Sequence, residues 1–294
     1  MSPPDELLVA ISEDGLLRAR IARVTTLVGE LTLRQRSGRL ATLALGRAAG
    51  AAAVFPMEAG KLALVSLQFT GGGPLGGLLV EHRQSGDIRG YAQEPTAEPR
   101  GTLALRRSGA GLGLLPHGSL SVVKQDGHGR YTVGRVALQN GEIDDDVAGY
   151  FRDSEQVPTA IFAETVLDEG GRVTASFAVL VQVLPPADAD ALLRVPPRFD
   201  VEEGTTLEGL LQLTLGDSPR VLERTPLRFC CDCSRDRVAR SLLLLEPREL
   251  EEMIAQDHGA EVTCRFCAEQ YLISEEELEE ILRQRRTAVP DEVH

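Results

Sequence analysis

All five thiols of this chain fall in its last quarter. They read Phe229-Cys230-Cys231-Asp232-Cys233 and, thirty residues further on, Cys264-Arg265-Phe266-Cys267. A thiolate is both a soft metal ligand and a nucleophile, so paired cysteines serve to hold a metal or to exchange electrons. Two tight turns with two sulfurs each are a common way to build a four-cysteine site, because tetrahedral Zn2+ takes sulfur at about 2.3 Å. The second pair is a plain C-x-x-C turn. The first has two readings: Cys230 with Cys233 makes another C-x-x-C, and Cys231 with Cys233 a tighter C-x-C. Spacing alone supports both. A role as small buried hydrophobes matches poorly, since every cysteine of the chain sits in a paired turn. Redox chemistry fits the same turns, because neighbouring thiols close disulfides without long-range rearrangement, and small strained rings are the labile kind.

Other chemistry has little support. Thr70-Gly71-Gly72-Gly73-Pro74-Leu75-Gly76-Gly77 lacks the Gly-Lys-Ser/Thr ending of a nucleotide loop and reads as a turn between antiparallel strands. No Gly-x-Ser-x-Gly elbow is present, and His82, His117, His128, His258 and His294 are scattered through expected turns and the chain end. His258 near the metal turn reads as a solvated helix-end residue, and Glu275 to Glu280 as a solvated helix face rather than a cation site. A thiol–disulfide oxidoreductase would place C-x-x-C at a helix start, whereas here the pair lies between expected strands. No enzymatic activity is expected.

The composition narrows the class. Hydrophobic residues make up 43%, ordinary for a folded globular chain, while aromatics reach only 4% with no Trp, so the core must be aliphatic and rich in small residues. A net charge of −13 argues against nucleic-acid or anionic-membrane partners, which need a basic face. Lys61 and Lys124 are the only lysines; every other permanent cation is Arg. The opening Met1-Ser2-Pro3-Pro4-Asp5-Glu6 has neither the basic start nor the apolar run of a signal peptide. The apolar stretch Leu40 to Phe55 is broken by Arg47 and short for a membrane span. A cytoplasmic location is expected, and in that reducing compartment clustered cysteines are metal ligands or redox centres rather than staples.

The elements that must position the cysteines follow from periodicity. Residues 5–24 alternate as a strand, and from Leu27 the pattern turns helical. Leu40 to Val54 is Ala- and Leu-rich nearly all round, which marks a buried helix closed by Pro56. Strands are expected at Lys61 to Phe69, Leu78 to Glu81 and Ile88 to Ala92. Ser119 to Lys124 and Tyr131 to Leu138 make a hairpin around Gln125-Asp126-Gly127-His128-Gly129-Arg130. A short helix over 144–153 precedes strands at Ile161 to Thr165 and Arg172 to Leu184. This predicts an α+β body over residues 1–184, with a mixed, mostly antiparallel sheet and a buried helix. Residues 185–228, punctuated by Pro185-Pro186, Pro196-Pro197, Gly204 and Gly216, read as a linker with one helix from Thr206 to Leu215.

Residues 229–294 form the third expected part, a small domain. From Cys231 onward the chain carries sixteen acidic residues and eight arginines, which is −8 of the −13. Ser234 caps one helix, Pro247 starts a second, and Ser274-Glu275-Glu276-Glu277 is a capping box for the last. The C264-to-C267 turn sits between short strands. So small a core supplies about 3–5 kcal/mol unaided. A structural zinc contributes about 10–16 kcal/mol of coupled folding free energy. Losing the metal should therefore unfold the region.

Phe229-x-Cys231-x-Cys233-Ser234-Arg235 followed by Cys264-x-x-Cys267 resembles the zinc site of the redox-regulated bacterial heat-shock chaperones of thirty-three kilodaltons. Arg89-Gly90-Tyr91-Ala92, Gly141-Glu142-Ile143, Tyr150-Phe151-x-x-Ser154-Glu155-Gln156-x-Pro158-Thr159 and Val181-Gln182-Val183-Leu184-Pro185 are similar to that family's stretches, so the likeness spans nearly the whole chain. The resemblance implies that Cys231, Cys233, Cys264 and Cys267 ligate one Zn2+ per chain in a reduced, inactive form. It also implies Cys231–Cys233 and Cys264–Cys267 disulfides on oxidation. Tail and linker then unfold, and the protein holds unfolding or oxidatively damaged clients without ATP, as a homodimer. Cys230 is a departure, standing where the pattern has a variable residue. A constitutive zinc ribbon that binds without switching is the alternative.

Overall fold

The computed structural model describes residues 3–57, 61–98 and 118–288, and the chain divides into two compact units, Met1–Cys230 and Cys231–His294. His117 and His294 lie outside the described residues. Among those described, no helix is long and apolar enough to cross a membrane.

The first unit is built on two sheets. Strands β1 (Glu6–Ile11), β2 (Leu17–Arg23), β8 (Thr159–Leu167), β9 (Val173–Val183) and β10 (Arg220–Pro226) form an antiparallel sheet in the order β10-β1-β2-β9-β8. Strands β3 (Leu64–Thr70), β4 (Gly77–Arg83), β5 (Asp87–Ala92), β6 (Ser119–Gln125), β7 (Tyr131–Ala137) and β11 (Arg228–Phe229) form the second, in the order β11-β5-β4-β3-β6-β7. All its pairings are antiparallel except β11 with β5.

The stretch expected as one strand over 5–24 is a hairpin. Its turn is made by Ser12, whose hydroxyl donates to Asp14 at 2.6 Å and accepts from the Leu17 N–H at 3.0 Å, with Gly15 at φ +75°. Asp5, just before β1, does a second job. Its carboxylate accepts the Thr26 and Leu27 N–H groups at 3.2 and 2.6 Å, satisfying the open start of helix α1 (Thr25–Arg34). Burial raises the Asp5 pKa, opposed by those backbone hydrogen bonds and by Arg23.

Helix α2 (Arg39–Val54) fills the space between the sheets, packing on β8 and β9 of one and on β4 and β5 of the other. Every residue of it after Arg39 is buried, as the all-round apolar pattern predicts. Small side chains permit the close approach: a Cβ at Gly46 would lie 2.4 Å from the Thr165 hydroxyl on β8. Helix α3 (Ile143–Tyr150) runs into a π-turn at Phe151–Glu155, and Gln156 ends it at φ +56°.

Strand β9 shows why the five-stranded sheet is buried on both faces. Ala178 and Leu180 join the core around α2, whereas Phe177, Val179, Val181 and Val183 point into a second core. Leu207, Leu210 and Leu211 of helix α4 (Leu207–Leu215) belong to that second core, with Val195 and Phe199. The chain then adds β10 to the edge of one sheet and β11 to the other. Between them it crosses the β4–β5 turn so closely that a Cβ at Gly86 would meet the Pro226 carbonyl oxygen at 2.0 Å.

The second unit has helix α5 (Arg235–Leu242), helix α6 (Pro247–Glu252) continued by a π-turn to Asp257, the hairpin β12 (Gly259–Thr263) and β13 (Gln270–Ser274), and helix α7 (Glu275–Ala288). Ser234 accepts from the Arg237 N–H, and Ser274 and Glu277 exchange both capping-box hydrogen bonds. The core is Val238, Leu242, Leu250, Ile273, Leu278, Ile281 and Leu282.

Candidate metal centre

Two turns bring the sulfurs together. The first is the loop before α5, closed where Arg237 donates to the Asp232 carbonyl at 3.1 Å and pairs with its carboxylate. The second joins β12 to β13. There the Cys264 N–H donates to Glu269 O at 2.9 Å and the Ala268 N–H to Cys264 O at 2.8 Å, with Ala268 turned to φ +58°. Arg235 ties the turns' elements together, donating to Leu272 O at 2.7 Å and to both oxygens of Glu277.

The Sγ atoms of Cys231, Cys233, Cys264 and Cys267 lie within 4.8 Å of one another, and all are free thiols. Cys231 and Cys264 are 3.7 Å apart and Cys233 and Cys267 3.2 Å. A tetrahedral ion with sulfur at about 2.3 Å separates its ligands by about 3.8 Å, so the cage fits such an ion with little adjustment. The charges point the same way. Burial pushes the Cys231 thiol up to about 11 and also raises Cys267. Burial opposes the Cys233 thiolate too, but hydrogen bonds from Tyr271 and from the other three thiols outweigh it and lower its pKa. Four sulfurs so gathered could hold a metal ion, and sulfur ligands suit a soft or borderline divalent one.

Tyr271 is the contributor that sequence reasoning missed. It reads as a core residue of β13, yet its hydroxyl donates to Cys233 Sγ at 3.1 Å, which fixes that sulfur's orientation. Nothing local signals this, because the two residues belong to different elements. His258 stands apart from the four sulfurs, at φ +51° after the π-turn, with Nδ1 3.0 Å from Glu275. His82, expected in a turn, sits within β4 at 2% exposure. Its Nδ1 faces the Ala52 carbonyl at 2.9 Å, and burial lowers its pKa to about 4, so it stays neutral at pH 7. Glu277 and Glu280 are spent on Arg235 and Arg283.

Cys230 belongs to the first unit, where its N–H donates to Ile88 O at 3.0 Å and prolongs the β11–β5 pairing. We expect Cys230→Ser to leave metal stoichiometry at one ion per chain, measured by chelator-dye titration. A drop would show that Cys230, rather than a neighbour, is a ligand.

Comparison with known proteins covers nearly the whole chain. The family model described as Hsp33 protein matches residues 5–274. The 33 kDa chaperonin of Bacillus velezensis is 32% identical, over 94% of this chain and 98% of its own. That of Synechococcus sp. (strain JA-3-3Ab) is 37% identical, over 96% and 91%. The crystal structure of the 33 kDa chaperonin (Heat shock protein 33 homolog) from Thermotoga maritima superimposes with a TM-score of 0.81 at 27% identity, covering 97% of this chain and all of that one.

Proposed function

The chain belongs to the Hsp33 protein family, a family of chaperones, and on that premise we propose that it is a redox-regulated, ATP-independent holdase. The observation that carries this reading is the gathering of four free thiols within 4.8 Å, in a unit whose own core is seven buried aliphatic residues. Bound at Cys231, Cys233, Cys264 and Cys267, one Zn2+ supplies the cross-link that holds this unit folded.

Oxidation by a peroxide pairs Cys231 with Cys233 and Cys264 with Cys267. Each disulfide forms as two thiols give up two electrons and two protons, reducing one peroxide to two waters. Sulfurs so paired are no longer thiolates and coordinate no metal, so the second unit loses its cross-link. Residues 185–228 act as the regulatory linker. Cys231 follows β11 by one residue, so disorder there frees the end of the segment that carries α4, β10 and β11. Leu207, Leu210 and Leu211 then leave the face of β1 and β2, and the apolar surface so exposed holds unfolding or oxidatively damaged proteins. The oxidised form is a homodimer. The protein works in the cytoplasm, and its acidity supports neither nucleic acid nor membrane as partner.

The test follows zinc release and suppression of citrate synthase aggregation together, at raised temperature, before and after peroxide. Oxidised protein is expected to have released zinc and to suppress aggregation, and reduced protein to do neither. Equal protection by both forms sinks the switch. Zinc retained after peroxide favours a constitutive zinc ribbon instead.

A further inference from the structure

We propose that a cavity of about 400 Å3 in the first unit binds a small organic anion, a carboxylate or phosphate carried on an apolar body. Its size falls within the ~300–1,000 Å3 usual for small-molecule sites. The cavity lies where the carboxyl end of α2 meets β2, β6 and β9, and its described lining residues include three cations, Arg18, Lys61 and Lys124, against one carboxylate, Glu155.

Those two lysines are the only ones in the chain, and both line this cavity. In a protein of net charge −13, a surplus of cations among the described lining residues runs against the overall field. Glu155 is already committed. It pairs with Lys124 Nζ and accepts from the Tyr150 hydroxyl at 2.7 Å, and Lys124 rests 6.0 and 5.9 Å from the Phe55 and Tyr150 ring centres. Arg18 is the informative group. Its Nη2 donates to a neutral acceptor, the Gln182 amide oxygen, at 3.1 Å, while its Nε is shielded from solvent without any acceptor. Among the described residues its guanidinium meets no carboxylate, which leaves its charge for a ligand.

Recognition follows from the same groups. A guanidinium fork takes two oxygens of a carboxylate or phosphate, and a lysine adds a point charge. Phe55 and Phe151, with ring centres 5.1 Å apart, offer an apolar surface for the ligand's body. Nothing in this site involves the cysteines, so its occupancy is independent of the redox reading.

Isothermal titration of the reduced, metal-loaded, full-length protein with benzoate, phenyl phosphate and the neutral analogue benzamide tests the proposal. Benzoate or phenyl phosphate is expected to bind saturably, with affinity falling as salt rises, and the tighter of the two identifies the headgroup. Losing a charge-assisted hydrogen bond in Arg18→Gln or Lys61→Gln is expected to weaken binding about tenfold. Lys61 is exposed, so Lys61→Gln decides the matter even if Arg18→Gln folds poorly. Benzamide binding as tightly as benzoate overturns the proposal. So does unchanged binding in every variant that folds, or no saturable heat from either anion at millimolar concentration.

Discussion

A chelator added to the reduced, metal-loaded protein is expected to unfold residues 231–294 and to leave the core of the first unit around α2 and β9 folded. The second unit's buried core is Val238, Leu242, Leu250, Ile273, Leu278, Ile281 and Leu282, and two of its helices run on for under three turns. A core of that size supplies about 3–5 kcal/mol. A structural zinc site supplies about 10–16 kcal/mol, so the metal decides the balance. The first unit has two hydrophobic cores of its own and no share in the four sulfurs. Hydrogen exchange separates the two outcomes. Amides of β12, β13 and α7 should lose protection on chelation, while those of α2 and β9 keep theirs. Cys264→Ser should reproduce the effect without chelator. Persistent protection of the β12–β13 hairpin would show that the unit folds on side-chain packing alone, and the redox lock would then have no energetic basis.

Replacing Arg47 by Met is expected to destabilise the first unit by about 3–5 kcal/mol, the usual cost of leaving buried carboxylates without their cation. The side chains of Arg47 and Asp144 are 0% exposed and that of Glu142 5%. The guanidinium reaches both carboxylates and donates through Nε to the Ala163 carbonyl at 2.7 Å. Burial disfavours its charge, but Asp144 and then Glu142 more than compensate, so its pKa rises. The three side chains tie α2 to the start of α3 and to β8. Urea denaturation followed by hydrogen exchange at α2 gives the loss. The triple variant Arg47→Met, Glu142→Gln, Asp144→Asn should recover much of it, since neutral amides tolerate burial better than unpaired charges. A single variant as stable as the parent would mean that water or rearrangement satisfies the carboxylates.

Arg47 also marks a boundary of what a sequence discloses. In the linear pattern it merely interrupts an apolar run, because its partners lie 95 and 97 residues away. Tyr271 reads as a hairpin core position, and only the approach of a turn 38 residues earlier makes it a hydrogen-bond donor to sulfur. In the linear pattern His82 falls between the strands expected at Leu78 to Glu81 and Ile88 to Ala92; strand β4 runs one residue past it, and α2 buries it.

The sequence by itself determined the local features. These are the two clusters of thiols, the buried Ala-rich helix, the β6–β7 hairpin and the capping box that opens the last helix. Each depends on residues a few positions apart, where periodicity, turn chemistry and cap hydrogen bonds act. Tertiary structure alone decided which faces meet. It set the sulfurs of two distant turns 3.2 and 3.7 Å apart and gathered the chain's two lysines at one cavity. It also laid Leu207, Leu210 and Leu211 into the core on the outer face of a sheet begun two hundred residues earlier. The reason is physical: a hydrophobic face specifies that it must be covered, and carries no record of what covers it.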